Sequence, residues 1–189
     1  MKAFFALLLC FIASNALAAL VVDVAIVDRG ILVRRDARLK ACVVEATVQN
    51  RSDKECVVTL MSCGWHDSFE VEPIQSVQIA GWICTSNIPT EVEMKPGESI
   101  VFRFTVVVES GFEGSPFKVG FTQSPRILTG EGKPAIHWSE SLAVPAIPEV
   151  VIQEQHEMKR QPNQALQTTP MTRSVYGKTI EFGHPQRGV

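Results

Sequence analysis

The sequence predicts an all-β protein: an antiparallel two-sheet sandwich followed by a disordered C-terminal tail. Three observations carry this. From Leu20 to about Val144, valines and isoleucines alternate with polar residues, the period of a half-buried strand. Turn signals rich in Pro, Gly, Asn and Asp interrupt that alternation at short intervals. No long segment spaces its apolar residues as a helix does. Roughly seven or eight short strands in one stretch of chain fit a sandwich, with a β-barrel as the alternative closure.

Leu20–Val27 reads as the first strand. Ala41–Asn50 shows the clearest alternation, with Cys42, Val44, Ala46 and Val48 on one face and Glu45, Thr47 and Gln49 on the other. The polar turn Asn50-Arg51-Ser52-Asp53 leads to Glu55–Met61, whose Cys56, Val58 and Leu60 point inward. These two strands and their turn predict a hairpin. Asn50-Arg51-Ser52 also matches a glycosylation acceptor, although the turn role accounts for it without a sugar. Glu91–Met94 is a short strand. Lys95-Pro96-Gly97-Glu98 predicts a type II turn, because Pro presets φ at its second position and Gly accepts positive φ at its third. Ile100–Val108 follows as a long strand, with Ile100, Phe102, Phe104, Val106 and Val108 opposite Val101, Arg103, Thr105 and Val107. Phe117–Thr122 and His137–Val144 supply two more. Ile147–Met158 is ambiguous between a last strand and a short helix. The rest of the chain is polar, with several Pro and Gly, and cannot bury enough surface to offset about 1–2 kcal/mol of ordering per residue. The domain is therefore expected over 19–149 and a flexible tail over 150–189.

The N-terminus addresses the chain. Lys2 is followed by an apolar run, Ala3 to Ala13, that is short for a bilayer, and then by Ala16-Leu17-Ala18 with the small residues of a cleavage site. Residues 1–18 thus read as a signal peptide, and the mature protein is expected to be secreted or periplasmic. An uncleaved anchor is disfavoured by polar Ser14 and Asn15, and lipidation of Cys10 by the bulky Leu9 before it. Cleavage removes one base, Lys2, and no acid, so the formal charge moves from −2 to −3. No basic stripe stands out, which argues against a nucleic-acid partner. No second apolar run reaches membrane-spanning length, so no stable span is expected after cleavage.

Most of the chemistry-bearing residues gather in Leu60-Met61-Ser62-Cys63-Gly64-Trp65-His66-Asp67. A copper-type or redox site would use Met61, Cys63 and His66, with soft sulfur ligands beside an imidazole. It would need a second histidine from as far away as His137. Zinc is poorly served, with neither Cys-x-x-Cys nor His-x-x-x-His. A Cys63 nucleophile with His66 or His137 as base lacks a Gly-rich oxyanion loop, and no Gly-x-Ser-x-Gly elbow exists. In an oxidising compartment the four mature cysteines, Cys42, Cys56, Cys63 and Cys84, are disulfide candidates. The favoured pair is Cys63–Cys84, which closes a loop of about 20 residues and contributes roughly 3 kcal/mol. Trp65 and Trp82 each lie two residues from one of these cysteines. In the proposed hairpin Cys42 and Cys56 sit too far apart to bond, so both are expected as buried free thiols. Cys42–Cys63, nearly cross-strand there, is the rival pairing. Trp65, His66 and Trp82 form a possible partner-binding patch, able to stack on a protein or a glycan.

Several of these pieces recur together elsewhere. Asn50-Arg51-Ser52, Met61-Ser62-Cys63-Gly64-Trp65, Cys84 with Asn87 and Pro89, Lys95-Pro96-Gly97-Glu98, Val119-Gly120-Phe121 and Trp138-Ser139 span about half the chain. Their order resembles an uncharacterised group of secreted bacterial proteins with an immunoglobulin-like sandwich. The resemblance implies an immunoglobulin-like fold and export, and no activity. Pro162 to Val189 separately resembles a segment that recurs at the ends of unrelated hypothetical proteins. The expected function is an exported, non-catalytic structural or interaction module with no cofactor, and the alternative is a periplasmic copper-type or redox protein.

Overall fold

The computed structural model describes residues 20–124 and 135–162. The expected signal peptide, and residues 163–189 of the expected tail, lie outside the described residues. The strands are β1 (Leu20–Arg34), β2 (Ala37–Asn50), β3 (Cys56–Met61), β4 (Phe69–Glu72), β5 (Val77–Ile79), β6 (Pro89–Met94), β7 (Ser99–Val108), β8 (Pro116–Thr122), β9 (Ile136–Trp138), β10 (Leu142–Ala143), β11 (Val151–Ile152) and β12 (His156–Gln161). One 3-10 turn, η1 (Trp65–Ser68), interrupts them. Among the described residues no helix is long and apolar enough to cross a membrane.

The main sheet is built on β1, β2 and β7, with β11 outside β1 and with β12 and β5 along the far side of β7. A second sheet sets β4 on one side of β8 and β9 and β10 on the other, and β3 pairs with β6. Thr59 N donates to the Gln123 carbonyl at 2.9 Å, which ties β3 to the end of β8. One core takes Cys42, Val44, Ala46 and Val48 from β2, the even residues of β7 from Ile100 to Val108, and Val58, Phe69, Phe117, Val119 and Phe121 from the facing strands. The alternation read from the sequence therefore assigns the inner faces of β2 and β7 correctly. The result is an all-β fold whose sheets share one core, as the layers of a sandwich do.

Two local features lengthen β1 beyond its expected end at Val27. Val27 is the extra residue of a bulge, where the register with β2 shifts between Ile26 and Asp28. A bulge reverses which side chains face inward, so the alternation stops although the strand continues. The β1–β2 turn is made by Arg35 and Asp36, both with positive φ, at 45° and 69°. Such a two-residue turn ordinarily carries Asn or Gly, and its absence hides the hairpin in the sequence.

The expected β2–β3 hairpin does not form. β2 pairs with β1 and β7, whereas β3 pairs with β6. Asn50, fully buried, turns the chain from one sheet to the other. Its Nδ2 donates to the Lys54 and Met94 carbonyls, both at 2.8 Å. Its Oδ1 accepts from Ser52 N at 3.0 Å and Ser52 Oγ at 2.7 Å. Its backbone N donates to Glu98 O at 3.0 Å, and its carbonyl accepts from Gly97 N at 2.7 Å. Every polar group of Asn50 is thus engaged inside the protein, and Gly97 takes the positive φ of 79° that its turn demands.

Other expectations change as well. His137–Val144 is two short strands, β9 and β10, rather than one. β11 runs parallel to β1, the one departure from antiparallel pairing among the described strands. Residues 151–152 and 156–161, expected to belong to a flexible tail, instead form β11 and β12 of the main sheet. β12 reads His156-Glu157-Met158-Lys159-Arg160-Gln161, too polar to announce itself as a strand; its ladder to Ser99–Phe104 makes it one.

Replacing Asn50 with Ala removes the side-chain donor to the buried Met94 carbonyl and the acceptor of Ser52 N, and is expected to destabilise the fold by about 3 kcal/mol in urea unfolding. Ser52→Ala, which removes only one hydroxyl from the same turn, is expected to cost about 1 kcal/mol.

Candidate functional site

The cysteine-rich stretch begins where β3 ends. Met61 closes that strand, buried at 6% exposure. Ser62 N then donates to Ile88 O at 2.8 Å, and Ile88 N returns a bond to Ser62 Oγ at 3.1 Å. These bonds hold the segment from Gly81 to Ile88 alongside the end of β3. Cys63 and Cys84 join it covalently, with Cα atoms 5.9 Å apart. Gly64 N donates to Asn87 Oδ1 at 2.9 Å. A Cβ on Gly64 would lie 2.4 Å from Asn87 Nδ2, so the close approach needs glycine. Trp82 Nε1 donates to the Cys63 carbonyl at 2.7 Å. The Ser-Cys-Gly-Trp and Cys-x-x-Asn pieces thus assemble into one clasp that pins the 81–88 loop.

Trp65 opens η1 and turns into the core, only 5% exposed. Its ring lies 5.2 Å from Phe102, 6.1 Å from Phe69 and 6.1 Å from Phe104. It therefore leaves the surface patch expected of Trp65, His66 and Trp82: a large ring beside three phenylalanines gains more from burial than from solvent contact. Trp82 is half-buried under other rings, with Trp65 at 4.9 Å, His66 at 4.1 Å and His156 at 4.6 Å. His156, from β12, belongs to this cluster and was not foreseen. A lone histidine in a polar segment carries no sequence signal, and only the pairing of β12 with β7 brings it here.

The His66 side chain is 18% exposed, and its Nε2 lies 3.6 Å from Asp67 Oδ1. Its buried Nδ1 has no hydrogen-bond partner among the described residues. Burial pushes the imidazole pKa below its ordinary value; Asp67 works against this, and His156 adds to it. His137 stands apart on β9, hydrogen-bonded to the Leu20 backbone and held below the ordinary value by burial.

These facts limit the chemistry. The Cys63 sulfur is bonded to Cys84 and offers neither a nucleophile nor a thiolate ligand in this state. Among the described residues no group of three or more His, Cys, Asp or Glu is arranged to hold a metal ion. Cys42 and Cys56 are free thiols. They lie in different sheets, Cys42 opposite Arg29 and Val106 and Cys56 opposite Met94. This separation, rather than the expected hairpin register, keeps them apart. Burial pushes Cys42 up to about 11 and raises Cys56 too, although Cys56 is half-buried rather than fully buried as expected. What the clasp does present is apolar: Ile83 is 88% exposed and Ile88 64%. Comparison with known proteins finds no matching family model, no matching curated protein and no matching solved structure.

In unreduced, denatured protein lacking residues 1–18, a thiol titration is expected to count two groups, Cys42 and Cys56. Joint replacement of Cys63 and Cys84 by Ala should lower stability by roughly 3 kcal/mol, read from the urea midpoint.

Proposed function

We propose that this chain is an exported, non-catalytic interaction module whose clasped 81–88 loop docks against another protein. The carrying observation is the contrast within that loop. Its base is fixed by a disulfide, an indole hydrogen bond and the Asn87–Gly64 contact. The side chains of Ile83 and Ile88 nevertheless stand in solvent. Two exposed isoleucines cost free energy unless a partner covers them, and a pinned loop loses little further entropy on docking. A protein fits this apolar surface better than a glycan, since the indole faces a sugar would stack on are largely taken by neighbouring rings. Export rests on residues 1–18, and the sheets around one core support an immunoglobulin-like kinship.

The test is capture of partners from the exported fraction by crosslinking to the mature protein, beside an Ile83→Asp, Ile88→Asp variant. The variant is expected to lose about 2 kcal/mol or more of binding while keeping its melting temperature. Undiminished capture by the variant would overturn the docking role. Capture that survives protease treatment of the fraction would point to a glycan instead.

A further inference from the structure

β12 sends alternate side chains to three fastenings. His156, Met158 and Arg160 stand opposite Phe104, Phe102 and Ile100, on the core side of the main sheet. His156 stacks on Trp82 with 18° between the rings. Met158 packs against the main core. Arg160 donates to the Glu93 carbonyl and pairs with Glu98 at 2.7 Å. β12 thereby closes a flank of the sandwich, joined to β7 by its ladder and to β6 and the clasped loop by side chains.

The chain reaches β12 through a strap. Ile152 lies outside β1 and His156 outside β7, and residues 153–155 cross the outer face of the sheet between them. Arg34 grips Glu154 through two donors and also donates to Gly81 O at 2.8 Å. Gln155 N donates to Thr105 Oγ1 at 2.9 Å. The strap and β12 bury little apolar surface of their own: of residues 153–161 only Glu154, Gln155 and Met158 are even half-buried. Polar contacts, one indole and the packing of Met158 hold them.

We propose that this flank is an acid-sensitive latch, in which protonation of His66, packed on Trp82 across from His156, releases the strap and β12. Protonated His66 would carry an N–H at Nδ1, a buried position with no acceptor. His156, stacked on the same indole, acts against protonation of His66 through its charge. The other charges nearby are already spoken for. Arg34 is paired with Glu154, Lys159 with Glu157 at 2.8 Å, and Arg103 across the ladder with Glu45 at 2.6 Å. Asp67 on η1 faces His66, with its Oδ1 3.6 Å from Nε2 and beyond hydrogen-bond range.

The sign follows from the closed state's preference for neutral His66. Closure is fully favoured above the ordinary imidazole pKa and weakens as pH falls below it, toward the depressed value of the latched form. The far end behaves differently. Burial raises the Glu98 pKa, but hydrogen bonds from Arg160 and Lys95 outweigh it and keep the carboxyl below its ordinary value. The Arg160–Glu98 pair therefore survives mild acid, and opening starts at the Trp82 end of β12.

Hydrogen exchange on the full chain, corrected for intrinsic rates, tests the latch at about pH 7.5 and about pH 5. Amides of residues 154–161 are expected to lose about tenfold protection in acid relative to β2, for each pKa unit separating closed and open states. His66→Gln with His156→Gln should abolish that loss, and His137→Gln should leave it intact. His156→Gln alone, at an exposed position, should shrink it. Equal protection of wild type at both pH values, or an undiminished loss in either the single or the double variant, would overturn the proposal. The measurement uses no partner, so it stands apart from the docking role.

Discussion

The fold depends on what happens at Asn50. A strand that has paired on both sides, as β2 has, must leave its sheet, and the backbone leaving it passes through the interior. Buried backbone groups there need partners that neither sheet supplies. One amide side chain answers for two carbonyls and for the Ser52 side of the turn, while its own backbone meets the Pro96-Gly97 turn. With that crossing fixed, β3 is delivered to β6 instead of folding back on β2. The facing layer, the clasp and the burial of Trp65 all follow.

The clasp uses reactive residue types for their shapes and bonds. The disulfide and the Trp82 indole N–H both hold Cys63, the Asn87 amide oxygen holds Gly64, and the Ile88 backbone holds Ser62, so three consecutive residues are bound to the 81–88 loop. A thiol, an imidazole, an indole and a thioether in one short stretch invite a catalytic or metal interpretation. Here the sulfur is covalently occupied, the thioether is buried, and one indole has become part of the core. The chemistry that remains in contact with solvent is a pair of imidazoles against Trp82 and two isoleucines beyond it.

How much of this was legible depended on periodicity. β2 and β7 alternate cleanly because one face of each is wholly in the core, and that alternation is written in Cys42 to Val48 and Ile100 to Val108. The Gly97 turn was readable because glycine is the residue its φ requires. The Cys63–Cys84 pair was readable from its spacing and from the tryptophan two residues from each cysteine. Where the physics is tertiary, the sequence is silent. The Val27 bulge erases the alternation in mid-strand, and Arg35 and Asp36 adopt positive φ without being the residues that advertise it. Asn50-Arg51-Ser52-Asp53 looks like a hairpin turn because a crossing and a hairpin use the same polar residues. β12 is a strand through its neighbours, not its composition, and His156 came with it unseen.

The strap has a consequence for the order in which the molecule is made. β7 presents its far edge to solvent until residues 156–161 arrive, and those residues follow the rest of the described domain in the chain. During synthesis the two layers can pack while that edge still exposes unpaired amides beside Phe102 and Phe104. An open edge of that kind is a template for pairing with other chains. The window of vulnerability closes only when the last strand has crossed the sheet and docked.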